Sequence, residues 1–219
     1  MGGLSLALGE RRITEKGWRR NSSKSLMALL ALTPGHLVTR FEAIEFLWPE
    51  ADYDRGRESL YSTLSSLRRT IGQVPGGASY LISEMGQIWL DDALVTCDVD
   101  GFEGLARSVV GGRLRDDEVV ASCLKLEATF RGGACVPSGD PHGRLRARCD
   151  ELARRYVDVL LIGAEAALRL RDVRQAVWFA ESASASASAR EDVVACLARA
   201  LGAAEEAVHP VSRDLPRDL

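Results

Sequence analysis

Residues that advertise common chemistries are scarce in this chain. Histidine occurs only as His36, His142 and His209, and none has a second His or a Cys at metal-motif spacing. The five cysteines, Cys97, Cys123, Cys135, Cys149 and Cys196, are odd in number, widely spaced and free of C-x-x-C. They read as free thiols, mostly small core residues, and no metal or other cofactor is expected. Long apolar runs are missing too. The longest uncharged stretch, Ser25 to Thr39, is fifteen residues and contains Pro34 and Gly35, too short and too broken to cross a bilayer. The N-terminus lacks a charged region followed by an apolar run and a cleavage site, so a cytoplasmic protein with no membrane partner is expected.

Catalytic motifs are equally absent. There is no G-x-x-x-x-G-K-[ST], no G-x-G-x-x-G after a strand and no G-x-S-x-G. A Cys135/His142 couple lies in a Gly/Pro-rich stretch with no orienting third group, so the chain is not expected to be an enzyme.

The 219 residues, 46% hydrophobic and 27% charged, suit one large domain or two of about 100 residues each. A net charge of −3 does not suggest a nucleic-acid ligand, but it hides an asymmetry. Residues 10–40 carry Arg11, Arg12, Lys16, Arg19, Arg20, Lys24 and Arg40 against Glu10 and Glu15, or 7 − 2 = +5. Residues 97–219 carry 17 basic against 20 acidic side chains, or −3. On charge alone this asymmetry reads as a solvated charged face; a small basic module joined to a mildly acidic one is the alternative.

Leu4 to Leu8 and Arg11 to Thr14 are β-like stretches around Gly9-Glu10. Ser22 or Ser23 is placed to cap a helix through Leu32, which Thr33-Pro34-Gly35 stops. Thr39-Arg-Phe-Glu42 has capping-box spacing and opens a short helix ended by Pro49. A third helix spans about Asp54 to Ile71, with Leu60, Leu64, Leu67 and Ile71 on one stripe, and Gly72 ends it. Tyr80 to Ser83 and Gln87 to Leu90 form a hairpin around Glu84-Met85-Gly86. The order is that of a winged helix-turn-helix.

Beyond Asp98 the texture is helical. Asp100-Gly-Phe-Glu103 is a second capping-box pattern, and a helix follows from about Asp117 to Phe130. Asp140-Pro141 opens a long one reaching Arg171. Its face of Leu152, Tyr156, Val159, Leu160, Gly163, Ala167 and Leu170 is apolar, with small residues where another helix can approach. Stretches near 173–188 and 191–206 complete the array. Ser182 to Ala189, a Ser-Ala alternation, reads as a helix with a thin, small-residue face that frays. The expectation is a mainly α chain with small β elements: a winged helix over residues 1–96, a tetratricopeptide-like array over 97–206, and a disordered tail over 207–219.

A winged helix places its third helix in the major groove of double-stranded DNA. On that reading Arg57, Tyr61, Ser62, Ser65, Ser66, Arg68 and Arg69 face the bases and flanking phosphates. Arg19, Arg20 and Lys24 beside the first helix, with Thr39 and Arg40 at the second, suit phosphate contacts.

Trp18-Arg19-Arg20, Ser25-Leu-Met-Ala-Leu-Leu-Ala-Leu-Thr-Pro-Gly35, Val38-Thr-Arg40, Phe46-Leu-Trp-Pro49 and Leu60-Tyr-Ser-Thr-Leu-Ser-Ser-Leu-Arg-Arg69 together resemble antibiotic-regulatory-protein-type (SARP-like) bacterial transcriptional activators. In that family a winged helix-turn-helix precedes a tetratricopeptide-like bacterial transcriptional activator domain. Cys97-Asp-Val-Asp-Gly-Phe-Glu103 is similar to the family's domain junction. Leu152-Ala-Arg-Arg-Tyr156 and Arg174-Gln-Ala-Val-Trp-Phe-Ala180 are similar to its helical repeats. The resemblance covers about residues 4–206. It implies a cytoplasmic activator that binds repeats near promoters, dimerises through its helical part and recruits RNA polymerase.

Three features depart from the family. Glu58 stands where a neutral or basic residue is usual. Ser182 to Ala189 replaces a more charged helix. The chain stops soon after Glu206, where another helix pair is usual, which leaves an apolar face for a partner. These departures motivate an alternative: an interaction adaptor whose winged helix has lost its affinity for DNA.

Overall fold

In a computed structural model we describe residues 4–14, 17–72, 79–130, 140 and 143–208. Among them are eight α-helices and two small antiparallel sheets, so the chain is mainly α with small β elements. It divides into two compact units, one of residues 1–101 and 130–152, the other of residues 102–129 and 153–219.

The first unit opens with β1 (Leu6–Leu8) and β2 (Arg11–Ile13), paired antiparallel around Gly9 and Glu10. Helix α1 (Asn21–Leu32) is buried almost throughout from Ser25 to Leu30. Neither Ser22 nor Ser23 caps it. Arg20 holds the N-cap position without a side-chain bond. The two serines turn toward the helix Tyr53–Ile71 instead: Ser22 Oγ lies 3.0 Å from Thr63 Oγ1, and Ser23 Oγ donates to the Thr63 carbonyl at 3.4 Å. A buried hydroxyl needs a partner, and the facing helix supplies one where a cap would have left Ser23 pointing along the axis.

A 3₁₀ turn, Pro34–His36, leads into β3 (Leu37–Thr39) and then α2 (Arg40–Leu47). The capping box at Thr39 and Glu42 is formed in both directions. Helix α3 (Tyr53–Ile71) is capped by the Asp52 carboxylate and ends at Gly72, whose φ of 84° is left-handed. Leu60, Leu64, Leu67 and Ile71 are all buried, as their spacing requires. At Gly56 the helix passes so close to α2 that a Cβ there would stand 2.3 Å from Ile44 Cγ2. Strands β4 (Leu81–Glu84) and β5 (Gln87–Leu90) join through Met85 and Gly86, both at positive φ, the geometry of a two-residue hairpin turn. β3 pairs on the other side of β5, giving the order β3-β5-β4. Val38 opposite Ile88 and Leu81 opposite Leu90 put the inward side chains on the α1–α3 core.

The remaining helices are α4 (Asp98–Val110), α5 (Asp116–Phe130), α6 (Arg144–Arg169), α7 (Val173–Ala187) and α8 (Glu191–Val208). Asp100 does not open α4. The helix already begins at Asp98, and the Asp100 carboxylate reaches His36 instead. Asp140 does serve the start of α6, accepting from Arg146 N at 2.9 Å, whereas Pro141 lies outside the described residues.

In the second unit, Gly163 of α6 provides the close approach expected of it. A Cβ there would stand 2.7 Å from Cys123 Sγ of α5 and 3.2 Å from the Phe179 ring of α7. Leu170 falls past the end of α6 and is exposed. Ala176, Ala180 and Ala183 of α7 and Val193, Cys196 and Ala200 of α8 are buried, and the Ser-Ala tract stays helical through Ala187 although Ala183 is buried and Ala185 and Ala189 are exposed. Ion pairs Arg169–Asp116, Arg190–Asp158 and Arg199–Glu165 brace the helices from outside. Helix α8 runs to Val208, two residues into the expected tail. His209, the rest of the tail, Cys135 and His142 lie outside the described residues. No described helix is long and apolar enough to cross a membrane.

Candidate nucleic-acid interface

Helix α3 exposes one face for its whole length. Asp54, Arg57, Glu58, Tyr61, Ser62, Ser65, Arg68 and Arg69 are all exposed: Glu58, Ser62, Ser65 and Arg69 fall opposite the leucine stripe at 3.6 residues per turn, and Arg57, Tyr61 and Arg68 on one flank of it. Ser66 is not among them. It lies beside Leu67 and Thr70 on the covered side, 5% exposed, and cannot meet a ligand on this face. The helix carries four arginines against two carboxylates, but the signs are not mixed evenly. Arg57 is tied to Asp54 at 3.5 Å in the first turns, whereas Arg68 and Arg69 occupy the last turn with no carboxylate within salt-bridge range among the described residues. Glu58 sits in the middle of the exposed face.

The two C-terminal arginines point differently. Arg69 donates to Ser65 Oγ one turn back at 3.3 Å, which holds both on the exposed face. Arg68 reaches toward the hairpin, with Nη2 3.5 Å from the Leu81 carbonyl. Arg40, the first residue of α2, links the same two elements. Its Nη2 donates to Ser83 Oγ on β4 at 3.2 Å, and its guanidinium carbon lies 5.6 Å from the Tyr61 ring centre. Its backbone N–H donates to the Gly86 carbonyl at the hairpin turn, at 2.8 Å. Arg40 Nε is buried with no hydrogen-bond partner among the described residues. The first turn of α2, the middle of α3 and the hairpin thus form one surface held by a cation.

Thr39 is committed to its cap. Its Oγ1 accepts from Glu42 N at 3.1 Å and donates to Glu42 Oε2 at 3.0 Å. The Thr39 backbone N–H on the Glu42 carboxylate is the main reason that carboxyl lies below the usual range; burial opposes it, and the Thr39 hydroxyl and Arg144 reinforce it. Arg19, Arg20 and Lys24 gather at the start of α1, which meets α3 at Thr63, on the side away from Tyr61 and Ser65.

Sequence reasoning missed two participants. Arg11 donates to the Thr70 carbonyl at 3.2 Å, satisfying a carbonyl in the last turn of α3, and Ser83 anchors Arg40. Neither contact leaves a local signal, because the partners are far apart in the chain. A third grouping lies outside this face: His36, Cys97 and Asp100 place ligand-type atoms within 4.8 Å of one another. Burial, then the charges of Asp100 and Asp98, push the Cys97 thiol up to about 11. No protein-family model matches this chain, and no curated protein is significantly similar to it.

Proposed function

We propose that this chain is a sequence-specific, DNA-binding transcriptional regulator of the SARP-like activator type, acting in the cytoplasm near promoters. Residues 1–96 are read as a winged helix-turn-helix, with α3 as the helix that enters the major groove and the β4–β5 hairpin as the wing. The observation that carries the reading is the continuous face made by α3 and the hairpin, with Arg40 seated between Tyr61 and Ser83. Arg68 and Arg69 then supply base-edge or phosphate contacts at one end of that face. Glu58, in its middle, is suited to accept from a cytosine N4 amine. The helical part is read as a tetratricopeptide-like array that mediates dimerisation or contact with RNA polymerase. Val194, Leu201 and Val208, exposed at seven-residue intervals along α8, favour such a contact. No catalytic step belongs to this proposal.

The experiment is recovery of bound fragments from sheared genomic DNA at low and moderate salt, followed by sequencing. Enrichment of promoter-proximal fragments sharing a repeat is the expected result. Uniform recovery erased by salt, or no recovery, overturns it. One observation favours a second reading, an interaction adaptor: Asp54 and Glu58 lie on the very face that would meet phosphates. An adaptor shows no salt-dependent affinity for any DNA, and that separates the two.

A further inference from the structure

The geometry points to a divalent transition-metal site in the first unit, built by His36, Cys97 and Asp100 and suited to a borderline-soft ion of the Zn²⁺ class. The His36 ring is buried at the end of the 3₁₀ turn, and its Nδ1 lies 3.1 Å from the Leu30 carbonyl oxygen. A carbonyl only accepts, so Nδ1 carries the hydrogen and Nε2 is the atom presented to Asp100. This is how a second-sphere carbonyl orients a metal-ligating imidazole. Nε2 stands 2.6 Å from Asp100 Oδ2. An imidazole lone pair and a carboxylate oxygen at that distance require a cation between them, either a proton or a metal ion.

Cys97 distinguishes the two. It precedes α4 and Asp100 lies three residues on, the Asp100 backbone N–H bonding the Cys97 carbonyl at 3.2 Å, so both side chains leave the first turn on one side. The sulfur therefore joins the nitrogen and the oxygen within 4.8 Å. Cys97 also packs against the α1–α3 core, and its sulfur completes the three-ligand set that a metal ion takes. Nitrogen, thiolate and carboxylate together are a donor set that zinc accepts and that magnesium or calcium does not. Three protein ligands leave one tetrahedral position for water. With bonds of about 2.0–2.3 Å, tetrahedral ligand atoms stand roughly 3.3–3.6 Å apart, so the His–Asp pair opens and the sulfur closes in by side-chain rotation. On binding, the proton of the Cys97 thiol leaves to solvent, and the ion sits between the resulting thiolate, the His36 nitrogen and the Asp100 carboxylate. Asp100 is exposed and gives the ion its entry. The consequence is mechanical: the ion ties the turn before β3 to the first turn of α4, two segments more than sixty residues apart in the chain.

The test uses the full chain, reduced and stripped with a chelator, titrated with Co²⁺ as a spectroscopic probe. The expected result is one equivalent bound with thiolate-to-cobalt charge-transfer absorption, displaced by one equivalent of Zn²⁺. Cys97→Ser abolishes that absorption, and Cys135→Ser leaves it intact. His36→Asn, tolerable at the φ of 53° found there, raises the Co²⁺ dissociation constant by about tenfold or more. In the unmutated chain, Zn²⁺ protects Cys97 from alkylation, read by mass spectrometry, which needs no variant to fold. Absence of charge-transfer absorption at stoichiometric Co²⁺, its survival in Cys97→Ser, or equal alkylation of Cys97 with and without Zn²⁺ overturns the proposal and leaves a proton-bridged His–Asp pair.

Discussion

Replacing Gly56 with alanine is the sharpest test of how α2 and α3 meet. Alanine is ordinarily the better helix former, by about 0.8–1.0 kcal/mol, and the φ of Gly56 is not left-handed, so propensity alone predicts a more stable protein. The structure predicts the opposite. The new methyl would stand 2.3 Å from Ile44 Cγ2, where carbon atoms in contact prefer about 3.5–4.0 Å. A shortfall beyond an ångström against a buried, β-branched side chain cannot be absorbed by a small rotation, so the helices must separate or Ile44 must leave its rotamer. Overpacking of this kind costs about 1–3 kcal/mol. The deficit belongs at the upper end of that range, which leaves a net loss of about 1–2 kcal/mol after the propensity gain. For a chain of this size that lowers the melting temperature by roughly 2–8 °C. Gly101→Ala is the internal control: the same unit, also within a helix, but with no heavy atom within 4 Å of the added Cβ. It should stabilise by up to about 1 kcal/mol. Calorimetry or denaturant melts of the two variants read the sign directly. A Gly56→Ala protein as stable as its parent would refute the close approach of α2 to α3.

Four further outcomes follow from the same geometry. Arg68→Ala with Arg69→Ala weakens DNA binding, by about 1–3 kcal/mol for a side chain that reads a base, and unchanged affinity means another face meets the DNA. Thr39→Ala removes the cap of α2 and costs about 0.5–2 kcal/mol in urea melts. The Glu42 carboxyl lies below its ordinary value of 4.5 in the folded state, so its stabilising contribution is whole above that pH and is lost as pH falls through the lower folded value. Glu42→Gln therefore flattens the acid side of the stability profile, and an unaltered profile would mean the carboxylate is not held by the cap. Gly163→Ala destabilises through contact with Cys123 Sγ, and adding Cys123→Ala recovers part of the loss; strict additivity of the two would count against that contact.

The parts of the fold that could be read from the sequence are those written in local terms. The stops at Gly35 and Gly72, the Thr39/Glu42 box and the α3 leucine stripe each depend on residues within a turn or two of one another. So does the solvent face of α3, since it is the complement of that stripe. Ser66 falls on the covered side because the covered arc of α3 is wider than its leucines: Thr63, Ser66 and Thr70 are buried as well, and a serine's polarity in the sequence does not reveal that. Ser22, Ser23 and Asp100 were misplaced for a related reason. Each has the spacing of a cap, but tertiary partners, Thr63 and His36, engage the side chain instead. Arg40 is half-buried, and its bridging of Tyr61 and Ser83 joins three elements and leaves no trace at any single spacing.

Net charge is a poor guide to what such a chain can bind, and α3 shows why. Its two carboxylates do not merely subtract from its arginines. Asp54 takes up Arg57 near the start, so the cationic character of the exposed face is concentrated at the last turn, where Arg68 and Arg69 have no such partner within salt-bridge range among the described residues. That placement also complements the negative end of the helix dipole, so these arginines stabilise α3 whether or not DNA is present. Binding measurements on Arg68 and Arg69 variants must therefore be read beside their stability. Glu58 carries the more discriminating information. A carboxylate in the centre of the face weakens sequence-independent attraction to phosphate, and it is retained at low cost only if a donor meets it. On the DNA reading, Glu58→Gln strengthens binding to random duplex while narrowing the margin for a cognate site with cytosine at that position. On the adaptor reading, the same change leaves the absence of DNA affinity as it was.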